Sequence, residues 1–301
     1  MLENIQYTSI QEFMDIEIAP YYFTKEDYSS VVELTVGTEN ISEFIKQFAH
    51  EFTKRLLDIK NIFRGIRKSN IIFHKSEYGQ YRKMNIFRYN KIMSANYNTL
   101  KNISPVYKPA DMIVKYRDTS MQVCALLDIL NMPYTAYYLL SQIKDLLKLI
   151  KRNNQDVLVY NRMYDNTVKL SKFEDVKTQF SIVLAHFNTN HKNKTVLKYK
   201  FSDLFNSIED FKETDKVLDT HHTLLKQATT VESVVLSIEK EFDEIIYYIE
   251  NASMDKDIII TLSSIADIIS ITFNAYGYSI SRLNELLHNH VLNLESVGSQ
   301  L

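Results

Sequence analysis

Apolar residues recur every three or four positions along most of this chain. Ile41, Phe44, Ile45, Phe48, Phe52, Leu56, Ile59, Phe63 and Ile66 lie on one stripe and predict a long amphipathic helix over 41–66, with Gly65 near its end. Val231, Val235, Ile238, Phe242, Ile245 and Ile249 alternate four- and three-residue steps, the seam of a helix bundle. Tyr137, Leu140, Ile143, Leu147 and Ile150 predict a helix that starts at Pro133 and runs to about Lys151. The stretch 258–276 is apolar on most sides and predicts a central helix. Gly277 then predicts a break or bend before a last helix over 282–294.

Helix starts are readable from polar residues. Ser9, Ser171 and Thr229 each precede a Glu at the third following position, the spacing of a capping box. Thr24, Asp118 and Ser202 or Asp203 are further candidate caps. The box at Ser171 predicts a helix to about Phe187, and the polar run 188–194 predicts a loop. Val31 to Val36, closed by Gly37, is β-branched and suits a short strand. Between 70 and 100 the pattern blurs into Tyr, Asn and Lys, which predicts irregular chain with one or two short helices.

Glycine and proline are scarce, 5 and 4 in 301 residues, and neither occurs between Tyr134 and Tyr276. Strand-rich folds need many tight turns that use these residues. The expected fold is therefore mainly α, a multi-helix antiparallel bundle with a smaller, partly irregular basic N-terminal region. Ser104-Pro-Val-Tyr-Lys-Pro109 must be extended, because a residue before proline is pushed out of the helical region. It reads as a strap, and it divides an N-terminal region, 1–108, from a helical bundle, 109–301.

Charge divides unevenly along the chain. Residues 54–108 hold thirteen Lys or Arg against two acids, a balance of +11. That leaves −13 for the rest of a chain whose net charge is −2. Arg64, Arg67, Lys68, Arg82, Lys83 and Arg88, interleaved with Tyr78, Tyr81, Phe87 and Tyr89, are candidates to contact nucleic acid or an acidic protein surface. Self-docking on this chain's own acidic half is the plainer expectation.

No glycine-rich phosphate loop, His-Glu-x-x-His pair or nucleophile elbow is present. Asp219 with His222 and Glu285 with His288 have the spacing of di-metal carboxylate bundles, with Glu174 and Glu241 or Glu244 as the further acids. Their occurrence by chance in a chain with 8 His makes solvated histidines the expected reading, with no metal and no cofactor. Cys124 is the one cysteine, and its aliphatic neighbours predict a buried, unreactive thiol. The N-terminus lacks the pattern of a signal peptide. The apolar stretch near 258–273 is interrupted by Ser263, Ser264, Asp267 and Ser270, so no membrane span is expected.

The segment Pro105-Val-Tyr-Lys-Pro-Ala-Asp-Met-Ile-Val-Lys-Tyr116, followed by the aliphatic helix through Leu130, resembles helical virion structural proteins of large tailed bacteriophages. The resemblance implies a particle component without enzymatic activity and supplies no catalytic residues. The expectation is a structural subunit of a virion, made in host cytoplasm, whose partners are other structural proteins or copies of itself. Without a particle it would be cytoplasmic. A nucleic-acid-associated protein acting through 54–108 and a di-metal helical-bundle enzyme are the alternatives.

Overall fold

The computed structural model describes residues 85–154, 156–188, 198–251 and 256–301, with isolated positions between 50 and 83. Ten helices are named here. They are α1 (Ile86–Ser94), α2 (Tyr97–Leu100), α3 (Tyr116–Leu130), α4 (Tyr134–Lys151), α5 (Val157–Ser171), α6 (Phe173–Ala185), α7 (Phe201–Leu204), α8 (Ile208–His221), α9 (Ala228–Asn251) and α10 (Lys256–Gln300). No strand forms among the described residues. Two isolated bridges pair Val106 with Tyr199 and Met112 with Phe187. The mainly α, multi-helix reading of the sequence is the observed architecture.

Short polar links join these helices, as the lack of glycine requires. Asn131 takes the left-handed conformation, φ 45°, after α3, and its N–H bonds the carbonyl of Leu127. A left-handed cap of this kind usually employs Gly and sometimes Asn. Lys172, also at φ 45°, ends α5 and immediately precedes α6. The capping box expected at Ser171 is not formed, because Ser171 lies in the last turn of α5 and donates to the Val168 carbonyl. The box expected at Thr229 is also absent. A 3-10 turn over His222–Gln227 runs directly into α9, so Thr229 is inside the helix. Asp118 lies in the first turn of α3 and is not its cap. The strongest caps had weaker sequence signals: Ser207 accepts from Asp210 N at the start of α8, and Asp156 accepts from Leu158 N at the start of α5.

The seam read from the sequence of α9 is buried as expected, from Val231 to Ile249. It packs along α4, which buries Leu139, Leu140, Ile143, Leu146, Leu147 and Ile150. The break expected at Gly277 is absent. α10 is one helix of 45 residues, about 67 Å long at 1.5 Å per residue. A glycine inside a helix costs only about 1 kcal/mol. Gly277 is buried, and α10 is packed by α3, α5, α6 and α8, so tertiary contacts on either side outweigh that cost.

Helix directions are mixed. Gln122 of α3 meets Gln179 of α6, and Thr119 meets His186 just beyond the end of α6, so α3 and α6 are antiparallel. α3 and α8 are parallel, so the bundle combines both directions. Arg117 pairs with Asp210 at their starts, and Asp128 with His221 at their ends. Each spacing is eleven residues, about three turns, so both contacts fall on one face of each helix. The reason lies in the route of the chain. α6 ends beside the start of α3, and residues 199–201 lie beside the strap at that same end, so α8 sets out in the direction of α3.

One contiguous core includes residues from both sides of the strap, among them Phe63, Tyr78, Ile92 and Leu100 with the aliphatic faces of α3 to α10. α1 packs on the C-terminal part of α10, where a Cβ at Gly298 would lie 2.5 Å from the Cβ of Arg88.

Candidate functional site

The strap of residues 105–112 lies along α10 in the opposite direction and is tied to it by α10 side chains. Ser296 Oγ donates to the Pro105 carbonyl at 2.6 Å. Asn293, fully buried, accepts from Tyr107 N at 2.6 Å and donates from Nδ2 to the Tyr107 carbonyl at 2.8 Å. Its amide does for Tyr107 what a neighbouring strand would do. Further along, Arg282 meets Asp111. The strap is extended from 105 to 109 and closes with a turn in which Met112 N donates to the Pro109 carbonyl at 3.1 Å. The other edge of the strap is held by Val106 N donating to the Tyr199 carbonyl at 3.0 Å. Lys108 sits over the Tyr199 ring, 4.6 Å from its centroid, and donates to the Met112 carbonyl.

Arg282 closes the strap with a buried ion cluster. Its guanidinium forms a two-bond fork with Asp111, at 2.7 and 3.2 Å, and a 2.7 Å bond with Glu285. The rings of Phe187 and Tyr278 flank it at 4.2 and 4.9 Å. Burial by itself would lower the pKa of Arg282, but Glu285, Tyr278 and Asp111 outweigh it and the net shift is upward. A planar, permanently charged group suits a fork of this geometry, which Lys cannot reproduce.

About two turns further along α10 from Arg282 lies a buried imidazole with its carboxylate partner. His290 Nε2 is 3.2 Å from Asp215 Oδ1 of α8, and neither residue is exposed. The Tyr78 hydroxyl donates to the same carboxylate oxygen at 3.5 Å. The His290 ring packs on Phe211 and Tyr116. The Tyr116 hydroxyl donates to the Leu286 carbonyl. Burial first, and then the charge of Glu285, raise the Tyr116 pKa well above its ordinary value, so it is a fixed donor. These polar groups bond helices to one another beneath a layer of rings.

The residues singled out in the sequence are placed as follows. Arg67, Lys68 and Arg82 lie outside the described residues, as do Ser9, Thr24, the 31–36 segment and Gly65. Arg64 and Lys83 are helical and exposed. Arg88 is half-buried, donates to Asn85 Oδ1 at 2.8 Å and packs at Gly298, so it is used internally. Elsewhere in the basic region, Lys60 donates to both carboxylate oxygens of Glu239 on α9, at 2.7 and 2.9 Å. Phe63 packs on Tyr276 of α10, and Tyr78 reaches α8 and His222. These three anchors set part of the basic region on the acidic body of its own chain.

The Asp219, His222, Glu285 and His288 set is not brought together. His222 Nδ1 contacts the carbonyl of Asp219, its ring lies on Tyr78, and Glu285 is taken by Arg282. Glu244 pairs with Lys151 and Glu174 with Lys177. Among the described residues no three His, Cys, Asp or Glu side chains converge. Cys124 is buried, and its thiol pKa is raised by that burial and by Asp128.

Compared with known protein families, curated proteins and solved structures, the chain matches none. Arg282, Asn293, His290 and Asp215 were not recognised in the sequence. Apart from Glu285, three positions from Arg282, their partners lie 75 to 186 positions away. A usable sign was the density of polar residues, Arg282, Asn284, Asn289, His290 and Asn293, along the C-terminal part of α10.

Proposed function

We propose that this chain is a non-enzymatic structural subunit of a larger assembly, a component of a bacteriophage particle that acts through protein–protein contacts. In this reading it is made in host cytoplasm and resides in the particle, and its partners are other structural proteins or further copies of itself. The observation that carries the reading is how side chains are used. Charged and polar groups that could do chemistry are tied to one another inside, while large apolar side chains stand on the outside: Leu158 is 71% exposed, Phe87 69%, Tyr247 63% and Ile113 61%. Exposed aromatic and aliphatic residues of this size suit contact with another protein.

Contact with nucleic acid is the second reading, and exposed Arg64 and Lys83 favour it. Light scattering of the purified full chain, with identification of co-purifying proteins, tests the first. A stable monomer that binds neither itself nor any particle protein overturns it. Retention on DNA at low salt, lost when Arg64 and Lys83 become Gln, would instead support the second.

A further inference from the structure

No acidic residue occurs between Glu77 and Asp111. The end of that stretch meets a second basic segment, 198–203, along their main chains. Ser202 N donates to the Lys101 carbonyl at 3.3 Å, Phe201 N to the Ile103 carbonyl at 2.9 Å and Val106 N to the Tyr199 carbonyl at 3.0 Å. Successive side chains of extended chain point to opposite sides. Phe201 is fully buried and Tyr199 half-buried, so both face the body of the protein. Lys198 and Lys200 stand on the outer side and are exposed.

Three further lysines surround this pair. Lys101 is exposed, and its carbonyl is the one that holds Ser202. Lys115 donates to the carbonyls of Ser202 and Asp203 at 3.4 and 3.2 Å. Lys108 lies over the Tyr199 ring. Burial lowers the Lys108 pKa, with Asp203 opposing and the charge of Lys115 adding to the effect. The acids of the adjoining turns are committed. Asp203 accepts from Lys200 N, Asp111 is paired with Arg282, and Asp118, Asp210 and Glu213 gather on Arg117. Among the described residues, Lys101, Lys198 and Lys200 have no ion-pair partner. Lysines gathered in this way repel one another, and a bound polyanion relieves the repulsion.

The class of polyanion follows from what else is exposed there. No large apolar side chain is exposed between 98 and 110 or between 198 and 204. A lipid surface or the core of a protein interface would use such side chains. No exposed aromatic ring offers a platform on which single-stranded bases could stack. Asn98, Asn102 and Ser104 are exposed instead. Lysines interspersed with amides and hydroxyls suit the phosphates of a duplex backbone.

We propose that the edge formed by 101–104 and 198–203 binds the phosphate backbone of duplex nucleic acid through Lys101, Lys198 and Lys200. Lys108 and Lys115 add to the positive potential beside them. This rests on the nucleic-acid reading above and moves its contact surface from Arg64 and Lys83 to the edge of the strap. Binding here is independent of sequence and falls with salt, because each phosphate neutralised releases counterions.

The test is fluorescence anisotropy of a short labelled DNA duplex of mixed sequence, titrated with the full chain between about 20 and 200 mM salt. Lys101→Gln, Lys198→Gln and Lys200→Gln in one variant should weaken binding at least about tenfold at low salt. The same variant should flatten the slope of log K against log salt by about one per lysine. Lys144→Gln, Lys169→Gln and Lys226→Gln make the same change in net charge at exposed positions elsewhere and should leave both nearly unchanged. Circular dichroism checks that each variant is folded. A Lys101, Lys198 and Lys200 variant that binds as the wild type does overturns this surface. The nucleic-acid reading then stands if Arg64→Gln with Lys83→Gln abolishes binding. A wild-type chain that ignores the duplex at about 20 mM salt overturns both. Binding to phosphatidylserine vesicles but not to the duplex would assign these lysines to a membrane and overturn the proposal.

Discussion

Asn293 on α10 holds the main chain of Tyr107 by both of its amide groups, one accepting at 2.6 Å and one donating at 2.8 Å. A helix side chain here serves as the edge of a sheet for a strap that proline keeps extended. Asn293→Ala is therefore expected to remove two bonds to backbone, at about 1 kcal/mol each. Urea unfolding should report a loss of about 2 kcal/mol, and hydrogen exchange should show faster exchange at Tyr107. An unchanged midpoint would mean the strap is held by its other contacts.

The cluster around Arg282 calls for a paired experiment. Removing the cation alone, Arg282→Met, leaves Asp111 and Glu285 buried without a countercharge, and about 3–5 kcal/mol of stability should be lost. The triple variant Arg282→Met, Asp111→Asn, Glu285→Gln removes the charges together and should recover a substantial part of that loss. Equal destabilisation of the two variants would show that ring packing on the guanidinium, rather than charge balance, is what matters.

Gly298 should not tolerate a side chain. A methyl group there meets the Arg88 Cβ at 2.5 Å, so α1 must move away from α10. Gly298→Ala is expected to cost about 1–3 kcal/mol, as overpacking does, despite the higher helix propensity of Ala. Hydrogen exchange would place the effect at α1. Adding Arg88→Ala should not rescue it, because the Cβ remains.

His186 gives the fold a dependence on acid. Its Nδ1 lies 3.2 Å from Thr119 Oγ1, and burial lowers its pKa below the ordinary 6.5, with Asp118 opposing. A folded pKa below the unfolded one means that the unfolded chain binds the proton more readily. The contribution is thus complete above about pH 6.5 and is lost as pH falls through that value toward the folded pKa. His186→Gln should flatten the stability profile in that window. A profile unchanged by the substitution would assign the acid sensitivity to another group.

How much of this was legible in the sequence depends on the range of the interaction. The stripes of α4 and α9, the start of α4 at Pro133 and the extended strap follow from periodicity and from the geometry of proline. The caps at Ser171 and Thr229 were misread because a capping box needs only two residue types at one spacing, and tertiary packing continued or ended the neighbouring helix first. Gly277 was misread for the same reason: its local cost is small beside the burial of the helix around it.

By itself the sequence determined the helical class, the extended strap and the charge division, since these arise from backbone sterics, near-neighbour spacing and composition. Only the tertiary structure decided which way α8 runs beside α3, and that α10 is unbroken. It also decided that Arg282 meets Asp111, Asn293 meets Tyr107 and His290 meets Asp215, pairs 75 to 186 positions apart. Such pairs form when the chain route brings distant faces together. Burial then makes their hydrogen bonds obligatory, and no local pattern encodes either condition.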